Sequence, residues 1–170
     1  MPRRVIRLPV FFVLAGALAG PGRAAEAGKG QDGTAAFELS SEEEAMLKLT
    51  NAERAKKDLP PLKPHPLLFK AARAHSKAMA RTGKFSHVLN GKGPDARARK
   101  AGYEFTQIGE NIFWGTNLTP KMALKGWMSS TGHRANILGK RYREVGLGVS
   151  EGEDGQKYYT QVFGARGSGE

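Results

Sequence analysis

Apolar positions along this chain change period partway through. From about residue 41 to residue 82 they recur at helical spacing, and from 145 to 163 they alternate. Ser41, with Glu44 three residues on, has the form of a capping box, and Leu47, Leu49, Ala52 and Ala55 give the segment behind it an apolar side. Leu59-Pro60-Pro61 is the expected stop. Pro66 suits a first helical position. The run to Thr82 carries Leu67, Leu68, Ala71, Ala74, Ala78 and Met79 at helical spacing, and Gly83 closes it. A short helix over 94–100 stops at Gly102. Thr119-Pro120 opens a further helix whose buried stripe is expected to be Met122, Ala123, Gly126 and Trp127. Ser130-Thr131-Gly132 ends it, which places His133 just beyond a helix terminus.

The strand signals come later in the chain. Residues 108–114 read as a strand. Val145, Leu147 and Val149 alternate with Gly146, Gly148 and Ser150, a turn follows at 151–155, and 158–163 returns as a hairpin partner. The bare glycine face invites a close neighbour. Helices first and strands interleaved late predict an α+β domain, a small, mostly antiparallel sheet covered by helices. His65, between two prolines, reads as a turn residue.

Composition changes the picture at the N-terminus. Arg3, Arg4 and Arg7 precede an apolar run of 13 residues, Leu8 to Gly20, which is too short for a membrane span. Gly22-Arg23-Ala24 fits a small-x-small cleavage site, so residues 1–24 read as a signal peptide and the protein as secreted or periplasmic. The leader holds four arginines and no acid, so its removal takes the formal charge from +11 to 11 − 4 = +7. The remaining charge is scattered. It suits peripheral contact with an anionic envelope surface and lacks the aromatic-interleaved stripe of a nucleic-acid site. Residues 25–39 read as a flexible lead-in, 40–164 as one domain and 165–170 as a tail. With no cysteine, an exported chain depends on burial for its stability. A monomer is expected.

Three residues stand out as chemistry. His87, Glu110 and His133 lie 23 positions apart each way (110 − 87 and 133 − 110) in three separate motifs, FSH, GENI and GHRANIL. Two imidazoles and a carboxylate form the ligand set of an open divalent-metal site, and they also do acid–base work without metal. On a strand, Ile108, Glu110 and Ile112 share one face. If that face is buried, Glu110 must be protonated, paired with a cationic histidine or metal-bound. Alternatively, Gly109 breaks the strand and Glu110 receives backbone N–H bonds. His75, mid-helix between alanines, reads as a packing histidine. A nucleophile elbow, a cysteine nucleophile and a phosphate loop are all absent from the sequence.

The segments 49–68, 71–87, 108–115, 123–138 and 144–164 together resemble the CAP superfamily of cysteine-rich secretory proteins, antigen 5 and pathogenesis-related proteins, and in particular its cysteine-free, bacterial SCP-like branch. That resemblance implies an α-β-α sandwich with a central cleft lined by His87, Glu110 and His133, positions that often hold Zn²⁺ or another divalent cation in the family. Many eukaryotic members carry a second glutamate three residues beyond the tryptophan matching Trp127; Ser130 stands there in this chain. Family activities range over lipid or sterol binding, proteolysis and protein antagonism, so the fold does not name the reaction. The reading is a secreted binding module for a lipid, an envelope polymer or a protein. Trp114, Phe113 and Trp127 are candidate cleft walls. The rivals are a metal-assisted hydrolase with Glu110 as ligand or general base, and a metal-free arrangement in which the histidines only pin loops.

Overall fold

The computed structural model describes residues 37–167. The expected leader and most of the lead-in lie outside them, as do the last three residues of the tail.

Ser40, rather than Ser41, caps the first helix, α1 (Ser41–Ala55). Its hydroxyl accepts from Glu43 N–H, and the Glu43 carboxylate answers on Ser40 N–H. The capping box therefore sits one residue earlier than expected, and the helix ends at Ala55, before the prolines. Helix α2 (Pro66–Thr82) has the expected bounds: His65 caps it through its ring, and Gly83 closes it at φ 64°. Helix α3 is Pro94–Ala101, with Gly102 left-handed behind it. Helix α4 (Pro120–Ser129) buries Ala123, Leu124 and Trp127, while Met122 is 51 % exposed. Met122 thus faces solvent, and Leu124 fills the place expected of it. The chain turns again at Ser130, so His133 lies just beyond the end of α4, as expected, in a segment that is itself a short helix, α5 (Thr131–Ile137).

The sheet has four strands in the order β1 (Lys63–Pro64), β3 (Glu144–Glu151), β4 (Gln156–Ala165) and β2 (Gln107–Thr116). Strand β4 pairs antiparallel with both β2 and β3, and only the two-residue β1, which sequence patterning did not reveal, runs parallel to β3. Helices cover both faces. On one side Leu68 and Ala72 of α2 and Ala98 of α3 pack against Val162 of β4. On the other, Met46 of α1, Trp127 of α4 and Ile137 of α5 pack with Leu147, Tyr159 and Phe163. This is the expected α-β-α sandwich.

The glycine face of β3 explains how close α2 comes. A Cβ at Gly146 or Gly148 would overlap the backbone of Leu68 or Ala72 respectively. Gly126 of α4 likewise leaves room for the Phe113 ring. On the α1/α4/α5 side the main lock is polar. Arg54, fully buried, donates to the carbonyls of Pro60, Ile137, Gly139 and Tyr142. It ties the end of α1 to the end of α5.

Candidate functional site

Strand β2 is an edge strand, and three segments meet along it: the connection after α2, β2 itself and α5. Gly109 does not interrupt the strand; it pairs with Phe163 in register. Ile108, Glu110 and Ile112 therefore share the face toward α2 and α3, and Glu110 is buried, at 6 % exposure. A buried carboxylate requires partners. Glu110 Oε1 lies 2.8 Å from His87 Nδ1, and Oε2 accepts from Arg97 Nη2 at 2.6 Å. Both oxygens are engaged.

Arg97 comes from α3 and also donates through Nη1 to the carbonyls of His87 and Lys92. It pairs with Glu110 and holds the His87 loop in place. Its role was not read from the sequence, because nothing in the short 94–101 helix marks one cation among several. His75 is the second surprise. It is fully buried as a packing histidine should be, yet its Nε2 lies 3.8 Å from Glu110 Oε1. Neither of its ring nitrogens has a hydrogen-bond partner among the described residues. Burial lowers its pKa to about 4. Glu110 and the Ser86 backbone oppose that shift, and Arg97 and His87 add to it. His75 is therefore neutral at pH 7.

His133 approaches from the opposite layer. Its backbone carbonyl accepts from Asn111 Nδ2 at 3.0 Å, which anchors it one residue along from Glu110. Its pKa is lowered by burial, with a smaller repulsive push from His87. The asparagines of the two motifs lock together: Asn136 Nδ2 donates to Asn111 Oδ1 and to the Glu110 carbonyl. Asn111 also donates to Gln161, whose amide donates to Thr50 of α1. A buried polar chain thus runs from α5 through the sheet to α1. Asn111 and Asn136 stand inside the GENI and GHRANIL motifs, so the motifs themselves were the available signal.

The structure joins His87 directly to Glu110 and ties the His133 backbone beside it. Among the described residues, no three His, Cys, Asp or Glu side chains stand in a metal-holding arrangement. The donor chemistry still suits a cation. A carboxylate against Nδ1 of His87 assigns the ring proton to that nitrogen, which leaves the lone pair on Nε2 of a ring that is 47 % exposed. Of the expected cleft walls, Trp114 is exposed and Phe113 half-buried, while Trp127 is wholly buried with its Nε1 donating to Ile112 O. Trp127 is a core residue. Phe85 and Val88 are the exposed apolar neighbours instead, with the Phe85 and Trp114 rings 5.8 Å apart.

Comparison with known proteins agrees with this architecture. Residues 47–163 match the family model described as "CAP: Cysteine-rich secretory protein family". The chain is 38 % identical over 126 residues to the uncharacterized protein YkwD of Bacillus subtilis, covering 74 % of this chain and 48 % of that protein. An extracellular SCP-domain protein from Bacillus anthracis superposes with TM-score 0.65 at 32 % identity, over 74 % of this chain and 40 % of that one. An outer surface protein of Borrelia burgdorferi shares the fold at TM-score 0.70 and 18 % identity, over 76 % of this chain and 96 % of its own. The chain thus spans less than half the length of these Bacillus relatives. By the family match over most of its length, this chain belongs to the CAP family.

Proposed function

We propose that this protein is an exported CAP module that binds through the β2-edge cleft and does not hydrolyse what it binds. Export rests on the leader pattern of residues 1–24 and on the extracellular setting of the B. anthracis relative. The observation that carries the binding reading is the state of Glu110. A general base needs a carboxylate free to take a proton. Both Glu110 oxygens are held, one by Arg97 and one by His87, and Ser130 stands where a second acid would be.

The imidazoles of His87 and His133 would hold a divalent cation, zinc by the nature of the donors, with Glu110 orienting His87 as an outer carboxylate. Such an ion would supply a Lewis-acidic centre for one oxygen of the ligand. Phe85, Val88 and Trp114 beside His87 offer the apolar wall. A ligand from the cell envelope, whether lipid, polymer or protein, meets both features.

The test is a panel of peptide, ester and phosphodiester substrates incubated with zinc-loaded protein and with Glu110→Gln. The expected outcome is no turnover above the metal-free control. A robust rate that falls about a hundredfold in Glu110→Gln would make the protein a hydrolase, since that is the scale of losing a general base.

A further inference from the structure

Between His87 and α3 the chain folds into a small hairpin whose tip is Asn90-Gly91. Leu89 and Lys92 pair across it: Lys92 N–H donates to Leu89 O at 3.0 Å, and Leu89 N–H to Lys92 O at 3.3 Å. Both tip residues are left-handed, Asn90 at φ 52° and Gly91 at φ 69°, as a two-residue type I′ turn requires. Both are exposed, and a Cβ at Gly91 would meet nothing within 4 Å. Neither the Asn90 carboxamide nor the Gly91 N–H has a hydrogen-bond partner among the described residues.

That combination is not repeated at the other asparagines. Asn51, Asn111 and Asn136 are tied down through their amides, and Asn117, exposed and left-handed like Asn90, precedes Leu118, whose buried side chain crowds the next backbone nitrogen. Asp154-Gly155 has the same small-residue form but with both groups engaged. Gly155 N–H donates to Gly152 O, and the Asp154 carboxylate accepts from Gln156 N–H and Nε2. Asn90 alone offers a free carboxamide next to an unhindered, unbonded backbone nitrogen.

We propose that Asn90-Gly91 is a self-modifying site whose conversion to isoaspartate and aspartate loosens the His87 loop. The Gly91 nitrogen bonds to Asn90 Cγ, its proton passes to water and ammonia leaves, which closes a five-membered imide. Water then opens the ring. Attack at Cγ gives aspartate, and attack at the backbone carbonyl of Asn90 gives isoaspartate. The tip must open briefly for the nitrogen to reach Cγ, and a single exposed bridge is among the least stable elements of a fold. The consequence reaches the cleft through Arg97. Its Nη1 donates to Lys92 O at 2.6 Å and to His87 O at 3.0 Å, while Nη2 holds Glu110. Isoaspartate adds a methylene to the main chain inside a two-residue turn, which the Leu89–Lys92 pairing does not accommodate. Lys92 O then moves off Arg97. The modification itself does not depend on cation binding in the cleft.

The experiment holds the exported chain at 37 °C and pH 8, folded and in urea, and follows it by peptide mass mapping with enzymatic methylation of isoaspartate. The peptide holding Asn90 is expected to exchange NH₂ for OH, with more isoaspartate than aspartate, while the Asn117 peptide stays unchanged. Asn90→Gly keeps the left-handed tip and should remove the reaction. In the converted protein the ring resonances of His87 should shift, and those of His65, at the far end of α2, should not. No exchange at Asn90 in the folded chain, a folded rate at least a hundredfold below that in urea, or equal exchange at Asn117 would overturn the site. Unchanged His87 resonances in fully converted protein would overturn its link to the loop.

Discussion

Asn136 Nδ2 sits 2.9 Å from Asn111 Oδ1 and 3.1 Å from the carbonyl of Glu110, so one amide group of α5 holds both the strand that carries the site carboxylate and the neighbour that anchors His133. Removing it strands two acceptors. Asn136→Ala is expected to lower stability by about 1–3 kcal/mol, the penalty for leaving buried polar groups unpaired. Urea denaturation checks this. A loss within a few tenths of a kcal/mol would mean that water replaces the amide.

Arg54 offers a second, independent test of the frame around the site. Burial, and to a lesser degree Arg143, lower its pKa, yet four backbone carbonyls surround it. Arg54→Met keeps the apolar stem and removes every donor. The expected loss is about 3 kcal/mol, because the carbonyls of Pro60, Ile137 and Gly139 lose their Arg54 donor, while Tyr142 O keeps Arg143 Nη1. Thermal unfolding should also show the change at far-UV and near-UV wavelengths together, since α1 and α5 would separate as one event.

His75 makes stability depend on pH. Its folded pKa is about 4, against an ordinary 6.5. The unfolded chain therefore binds a proton that the folded chain refuses between those values. The contribution is fully present above pH 6.5 and is lost as pH falls from 6.5 toward 4, by at most about 3 kcal/mol. Burial lowers the pKa of His133 in the same direction. Replacing His75 with Gln removes the titration, so the stability gap between wild type and variant should narrow on acidification. Parallel pH curves for the two proteins would show that His75 is more readily protonated in place than this burial allows.

Much of the frame could be read from particular residues. Pro66 with Gly83, Pro94 with Gly102 and Thr119 with Pro120 mark helix ends by backbone chemistry that tertiary contacts seldom override, and these helices stand at or within one residue of the positions expected. Gly146 and Gly148 announced a close neighbour, and α2 is that neighbour. What failed was local competition. Ser40 and Ser41 are adjacent and each is followed three residues on by a glutamate, so the register of the cap was decided by packing: Glu43 also binds Arg73 of α2. Met122 and Leu124 compete for the buried side of α4, and the contact of that helix with β2 through Trp127 fixes the rotation that exposes Met122. The sequence indicated that Glu110 needed a partner but not which one. His87 was among the candidates, whereas Arg97 arrives from a helix whose docking no short-range pattern encodes. The buried face of His75 pointed to packing, and packing it does, but against the one carboxylate of the site.

The claim that the β2 edge is a cation-dependent binding cleft is tested most directly by calorimetric titration of zinc into the protein lacking residues 1–24, at pH 7, in wild type, Glu110→Gln and His133→Ala. One site is expected in wild type, with affinity lower by roughly 10–100-fold when the orienting carboxylate loses its charge, and no binding at that site without the His133 imidazole. Equal zinc binding by wild type and His133→Ala would contradict it, and would leave His87 and His133 as groups that only fasten their segments to the edge of the sheet.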